Sequence, residues 1–215
     1  MTPVWAAVPV KEFIGAKQRL SGMLSPAERE ILAATMLEDV LAALAGASRL
    51  AGILVNTVDP RATDLARRYG ARVVSEDPCD GHTAAVMGMA RLILRERLGA
   101  LLTLPGDIPG ATSAEVNAVV SACLDAPSFT IAPAHDELGS NAVLCNPPDV
   151  LRLRFGDDSF FPHLMTARAQ GIEPTIVRVP GIGLDIDNPV DLRAFARSAV
   201  SARTRTRAML ERLGL

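Results

Sequence analysis

Aromatic side chains make up only 4% of this 215-residue chain, so Ala, Val and Leu must fill most of a hydrophobic fraction of 49%. The formal net charge is −2, which excludes the strongly basic balance of a protein that binds long nucleic acid. A local basic pocket for a small anion does not show in that total. There are three cysteines, Cys79, Cys123 and Cys145, without a C-x-x-C pair or zinc-finger spacing. An odd, scattered set of this kind predicts reduced, packed thiols in a cytoplasmic protein. His82, His135 and His163 are too dispersed to suggest a metal cluster. No apolar run approaches the roughly 20 residues that span a bilayer, and the N-terminus lacks the pattern of a signal peptide. The chain has no G-x-x-x-x-G-K-[ST] and no G-x-G-x-x-G, so the P-loop and the dinucleotide fingerprint are both excluded.

Alternating strand and helix patterns are present instead. V-W-A-A-V-P-V (4–10), I-L-V-N-T-V (53–58), A-R-V-V-S (71–75) and A-L-L-T-L (100–104) read as buried strands. S-F-T-I-A-P (128–133), S-N-A-V-L-C-N (140–146) and P-T-I-V-R-V (174–179) complete the set. Ser25, Pro26 and Glu28 form a capping box ahead of a long amphipathic helix, and T-S-A-E (112–115) forms another. Helices are also predicted over 59–70, 83–98 and 159–171, with a C-terminal helix over about 189–213. The spaced arginines near the end read as the solvated face of that helix rather than a dimer contact. Strands joined through helices imply right-handed crossovers and a mainly parallel mixed sheet flanked by helices. With no repeat, linker or low-complexity tract, residues 1–215 read as a single α/β domain.

In open sheets of this kind ligands bind beyond the carboxyl ends of the strands. The residues after Val10, those after Ser75, Asp107 and the Asp pair near 185 are expected on that rim, and four groups of residues could carry chemistry. Lys11, Lys17 and Arg19 follow the first strand and could receive a polyphosphate, although an ordinary solvated loop has the same composition. Asp107, in L-T-L-P-G-D-I-P, is a lone carboxylate clamped between Pro105 and Pro109, suited either to Mg²⁺ or to capping the next turn. Asp185 and Asp187 sit two apart in G-L-D-I-D-N-P, so in extended chain they point the same way. Capping by Asp187 or Asn188 accounts for one acidic residue there but not both. With Asp107 the pair makes a three-carboxylate candidate metal site. Finally, Ser140, Gly156 and Ser159 offer hydroxyls and open backbone, with Arg152 and Arg154 nearby. Turn chemistry explains that last group as well. His163 reads as packed or exposed rather than catalytic.

Taken in order, V-P-V-K-x(5)-K-x-R-L, L-S-P-A-E-R, L-P-G-D-I-P, G-S-N-A-V-L, R-F-G-x-x-S-F and L-D-I-D-N-P-x-D-L resemble one known family. It comprises the 2-phospho-L-lactate, phosphoenolpyruvate and 3-phospho-D-glycerate guanylyltransferases of coenzyme F(420) biosynthesis. The resemblance implies a fold of the nucleotide-diphospho-sugar-transferase type. It also implies transfer of GMP from GTP to a small phosphorylated acid, with release of pyrophosphate. By the same resemblance Asp107, Asp185 and Asp187 would be Mg²⁺ ligands, and Lys11, Lys17 and Arg19 would face the triphosphate. Ser140, Gly156 and Ser159 would hold the acid. The family's G-L-N-x-A is G-H-T-A-A here, so Gly81, His82 and Thr83 form the nucleotide-binding loop with an altered pair. Thr83 could bond a purine edge or cap its helix.

Two alternatives stand beside this reading. One is a related nucleotidylyltransferase with another base or acceptor; the other is a non-catalytic protein of the same fold, which predicts loss of the acidic trio or the basic loop. The expected partners are GTP and the acid, with neither a nucleic acid polymer nor a membrane, in a monomer or a homodimer.

Overall fold

The computed structural model describes residues 2–75, 81–156 and 158–215. Among them seven strands form one sheet: β1 (Val4–Pro9), β2 (Gly52–Asn56), β3 (Arg72–Val74), β4 (Ala100–Thr103), β5 (Ser128–Pro133), β6 (Ser140–Asn146) and β7 (Thr175–Ile176). Their order is β3-β2-β1-β4-β6-β5-β7. β6 runs antiparallel to both neighbours, and the other pairings are parallel. The expected mainly parallel mixed sheet is therefore present.

The helices are α1 (Pro26–Ala45), α2 (Pro60–Arg68), α3 (His82–Arg95), α4 (Ser113–Ser121), α5 (Phe160–Ala169), α6 (Pro189–Arg197) and α7 (Arg205–Arg212). Local chemistry fixes most of their starts. Ser25 and Glu28 close a capping box on α1, Thr112 and Glu115 close one on α4, and Asn188 and Asp191 close one on α6. The sheet's alternation of side chains divides the core in two. Val4, Ala6 and Val8 of β1 pack with α1, α2 and α4 on one face. Ala7 of β1 and Leu101 of β4 pack with α3 and α5 on the other.

The C-terminal region departs from expectation. In place of one helix over 189–213, α6 stops at Arg197, a 3-10 turn spans Ala199–Ser201, and α7 begins at Arg205. The break lies where hydroxyl side chains compete with the helical ladder: Ser198 caps the turn and Thr204 caps α7. Nor is the last segment a merely solvated helix. Met209 and Leu210 are buried in a satellite cluster with Leu32 and Met36 of α1. The buried Asp39 of α1 accepts from the Arg205 and Thr206 backbone N–H groups and from the Thr206 hydroxyl. β7 is also shorter than its apolar run suggested, and α3 begins at His82 with Gly81, not Thr83, at its cap. Among the described residues no helix is long and apolar enough to cross a membrane.

Candidate active site

The strand order reverses between β1 and β4: the chain adds β2 and β3 on one side of β1, then returns to place β4 on the other. A crevice opens at such a reversal. Here it is an open cleft of about 1010 Å³, lined by the loop after β1, by Gly81 and His82, and by Pro105, Gly106, Asp107 and Asp187. Because β6 is antiparallel to β4, its first residues, Ser140 and Asn141, return to this same rim. Of the residues expected on this rim, Lys11, Lys17, Arg19, Gly81, His82, Asp107 and Asp187 line the cleft.

The loop after β1 is firmly held. The Phe13 N–H donates to Asp59 at 2.9 Å, and the same carboxylate caps α2 through the Arg61 and Ala62 N–H groups. Buried Arg29 donates to the Ala16 and Leu24 carbonyls from the other side. Lys17 sits at φ 51°, a left-handed conformation unusual for a side chain of its length. Its ammonium lies 2.7 Å from Asp107 and 2.8 Å from Asp187. Lys11 and Arg19 are exposed along the cleft lining. Burial would push Lys17 down, but Asp107 and then Asp187 outweigh it; its pKa is raised, and the side chain is a cation at neutral pH.

The acidic residues, far apart in sequence, meet through backbone docking. The Ile186 N–H donates to the Asp107 carbonyl at 3.1 Å, and Gly181 N–H to Glu115 at 2.7 Å. A Cβ on Gly181 would collide with the Gly110 carbonyl, so only glycine allows this approach. Asn188 is the cap of α6, which leaves Asp185 and Asp187 free of that role, and α4 is capped by Thr112 rather than Asp107. The three carboxylates are not equivalent, however. Asp107 and Asp187 share Lys17, whereas Asp185 accepts from the Asn141 amide at 3.1 Å. Burial pushes the Asp185 carboxyl up, the Asn141 bond opposes this, and the nearby Asp107 and Asp187 charges push it further up. Among the described residues no three His, Cys, Asp or Glu side chains are already gathered as a metal's ligand set.

The acid-binding candidates form a separate, neutral group beside the cleft. The Ser140 N–H donates to Ser159 Oγ, and the Ser159 hydroxyl donates back to Ser140 Oγ, both at 3.1 Å. Gly156 is exposed, and a Cβ there would meet nothing, so packing does not explain a glycine at that point. Thr83 Oγ1 accepts from the Phe155 N–H at 3.0 Å, and the His82 ring meets Phe155 edge-on at 4.7 Å. These two contacts tie the start of α3 to the segment that precedes α5. Burial lowers the His82 pKa, Asp107 opposes that and Lys11 adds to it, leaving a neutral imidazole at pH 7.

Sequence reasoning missed three residues that organise the site: Asp59, Asn141 and His163. Asn141 was visible inside G-S-N-A-V-L, but its tie to Asp185 spans 44 positions. Of the two described cysteines, burial raises the Cys123 thiol, and Cys145 is buried with its thiol likewise pushed up by burial. Cys79 lies outside the described residues.

Solved structures first define the class. A Desulfovibrio desulfuricans G20 protein assigned to the nucleotide-diphospho-sugar transferases superposes with a TM-score of 0.78, covering 99% of this chain and 95% of its own at 18% identity. A nucleotidyl transferase from Methanothermobacter superposes at 0.63, with 16% identity and 89% and 95% coverage. The fold is that of the nucleotide-diphospho-sugar transferases. Sequence comparison is more specific: the family described as "Guanylyl transferase CofC like" matches residues 4–215. Phosphoenolpyruvate guanylyltransferase of Rubrobacter xylanophilus is 38% identical over 203 residues, 94% of this chain and 98% of that one. 3-Phospho-D-glycerate guanylyltransferase of Colwellia psychrerythraea is 32% identical over 189 residues, 88% and 89% of the two chains. The chain belongs to the CofC-like guanylyl transferase family.

Proposed function

We propose that this protein transfers GMP from GTP to the phosphate of a small phosphorylated carboxylic acid and releases pyrophosphate, a step that feeds coenzyme F(420) biosynthesis. The acid is phosphoenolpyruvate, 3-phospho-D-glycerate or 2-phospho-L-lactate. The carrying observation is the Lys17 ammonium held between Asp107 and Asp187 in the cleft at the strand-order reversal. That arrangement supports polyphosphate chemistry more directly than any other feature of the rim.

The donor set fits Mg²⁺. Hard carboxylate oxygens from Asp107 and Asp187 converge on one cation already, and such an ion commonly takes one or two carboxylates together with substrate phosphates. Asp107 and Asp187 would hold it, with Asp185 behind them. When bound, it would neutralise charge developing on the phosphates. Lys11, Lys17 and Arg19 line the cleft where a triphosphate would lie, and their charges stabilise the same build-up. Gly81, His82 and Thr83 begin α3 on the side where the base would sit. Ser140, Gly156 and Ser159 orient the acid.

An oxygen of the acid's phosphate attacks the α-phosphorus of GTP. The bond from that phosphorus to the oxygen bridging the β-phosphate breaks, and the electron pair leaves with pyrophosphate. The nucleophile is already ionised at neutral pH, so no general base is needed. Incubating the purified protein with GTP, Mg²⁺ and each acid in turn tests this through pyrophosphate release. Release with one acid, lost on Asp107→Ala, is the expected result. Release only with another nucleotide would reassign the base, and silence with every nucleotide would overturn the reading.

A further inference from the structure

His163 is only 2% exposed, yet both nitrogens of its ring are engaged. It stands on α5 between the rings of Phe155 and Phe129, with centroids 5.3 and 6.2 Å away. The backbone N–H of Arg154 lies 3.2 Å from Nε2. A backbone N–H can only donate, so Nε2 carries a lone pair, and in the neutral ring Nδ1 carries the proton. Burial keeps the ring neutral by lowering its pKa to about 4. Nδ1 lies 3.0 Å from Ser140 Oγ and therefore donates to it.

Ser140 Oγ then accepts twice, from His163 Nδ1–H and from the Ser159 hydroxyl. A hydroxyl oxygen has two lone pairs and one proton. With both lone pairs occupied, only the Ser140 proton remains to be presented, and among the described residues it meets no acceptor. Ser159 has spent its proton on Ser140. Ser140 Oγ thus offers an O–H and no free lone pair, a polarity that suits an anionic oxygen and rejects a donor.

We propose that His163 is a positioning residue that locks the Ser140 hydroxyl as a hydrogen-bond donor toward a carboxylate or phosphate oxygen of the acid. The proposal rests on the reading of Ser140 as an acid-binding residue. A freely rotating hydroxyl would turn a lone pair toward the anion part of the time. A fixed donor avoids that repulsion before the ligand arrives.

The test is steady-state kinetics on the full chain with Ser140→Ala, His163→Asn, His163→Gln and the double variant S140A/H163Q. The amide nitrogen of Asn falls near the position of Nδ1, whereas that of Gln falls near Nε2. S140A and H163Q should each raise KM for the acid about tenfold, with KM for GTP within about twofold. H163N should stay within about threefold of the unmodified protein, and the double variant should be no worse than either single one. Equal losses in H163N and H163Q would mean that the ring merely packs, and additive losses would mean that it acts independently of Ser140. Either result overturns the proposal. An unchanged acid KM in S140A removes Ser140 from the acid site and takes down the underlying reading, whereas a large effect in S140A beside a silent H163Q sinks this proposal alone. Should H163Q fail to fold, ¹H–¹⁵N NMR of the imidazole in the unmodified protein decides: protonated Nδ1 is expected, and protonated Nε2 would overturn it.

Discussion

The two halves of the sheet end in rims of opposite character. Beyond β1 and β4, in the parallel half, the groups are charged: one ammonium holds two carboxylates, and more basic side chains lie exposed in an open cleft. At the start of β6, in the half with antiparallel pairing, the groups that meet are neutral, the Ser140 and Ser159 hydroxyls and the buried His163 imidazole, while the Glu137–Arg178 pair after β5 lies exposed. The difference matches what each would bind. A triphosphate carries spread-out charge that mobile cations can follow, whereas a small acid must be set at one angle for in-line attack. Fixed neutral donors hold orientation better than flexible charges do. Asn141 joins the halves, donating from the first residues of β6 to both the Ile182 carbonyl and Asp185.

Breaking the charged rim should have the largest effect. Asp107→Ala removes one of two carboxylates from Lys17 and from the proposed cation. Pyrophosphate release should fall about a thousandfold while the melting temperature changes little, since the residue is partly exposed. A loss under about tenfold would mean that the charged rim does not carry the chemistry.

The neutral rim is sharpened by pH. Folding lowers His163 from 6.5 to about 4, so between these values the unfolded chain binds a proton that the folded chain does not. The stability from the neutral ring is fully present above pH 6.5 and is lost as pH falls toward 4, by about 2 kcal/mol at pH 5. Denaturation of the unmodified protein and of H163N across this window measures it. Parallel curves would mean that His163 does not set the acid sensitivity of this half.

Cutting the tie between the halves should cost less. Asn141→Ala leaves the half-buried Asp185 carboxylate without its amide donor, which raises its pKa further. Activity should drop about tenfold, with its acid limb displaced to higher pH. A pH–rate profile with an unmoved acid limb would detach Asp185 from catalysis.

Much of this comparison was legible before the fold was known, for definite physical reasons. Strands reveal themselves by burial pattern, and Ser25–Glu28 and Thr112–Glu115 announce helix starts within four residues. Those signals are local. The site's members could be named for the same reason: carboxylates and lysines at strand ends are read one segment at a time. Their pairings could not be, because Lys17 meets Asp107 across 90 positions and Asp187 across 170. The break after Arg197 and the docking of α7 were hidden likewise, since Asp39 caps Thr206 from 167 positions away. His163 reads as packed or exposed rather than catalytic because its tautomer is set by the Arg154 N–H in the folded chain, which no residue spacing announces.

The smallest expected effect lies where the halves touch through His82 and Thr83. Leu and Asn stand in these places in the G-L-N-x-A pattern that G-H-T-A-A replaces. The Thr83 oxygen already accepts from Phe155 N–H, so its proton and its one remaining lone pair sit on a single atom that is already engaged. An Asn amide carries a donor and an acceptor at once, matching the mixed edge of guanine. The variant H82L/T83N should therefore raise the preference for GTP over ATP by about threefold, with kcat on GTP within about twofold. Because the loss of the His82–Phe155 contact is replaced by apolar packing, the acid KM should also stay put. Competition between the two nucleotides, read as the ratio of their kcat/KM values, measures this. An unchanged ratio with a raised acid KM would mean that these residues serve the joint between the halves rather than the base.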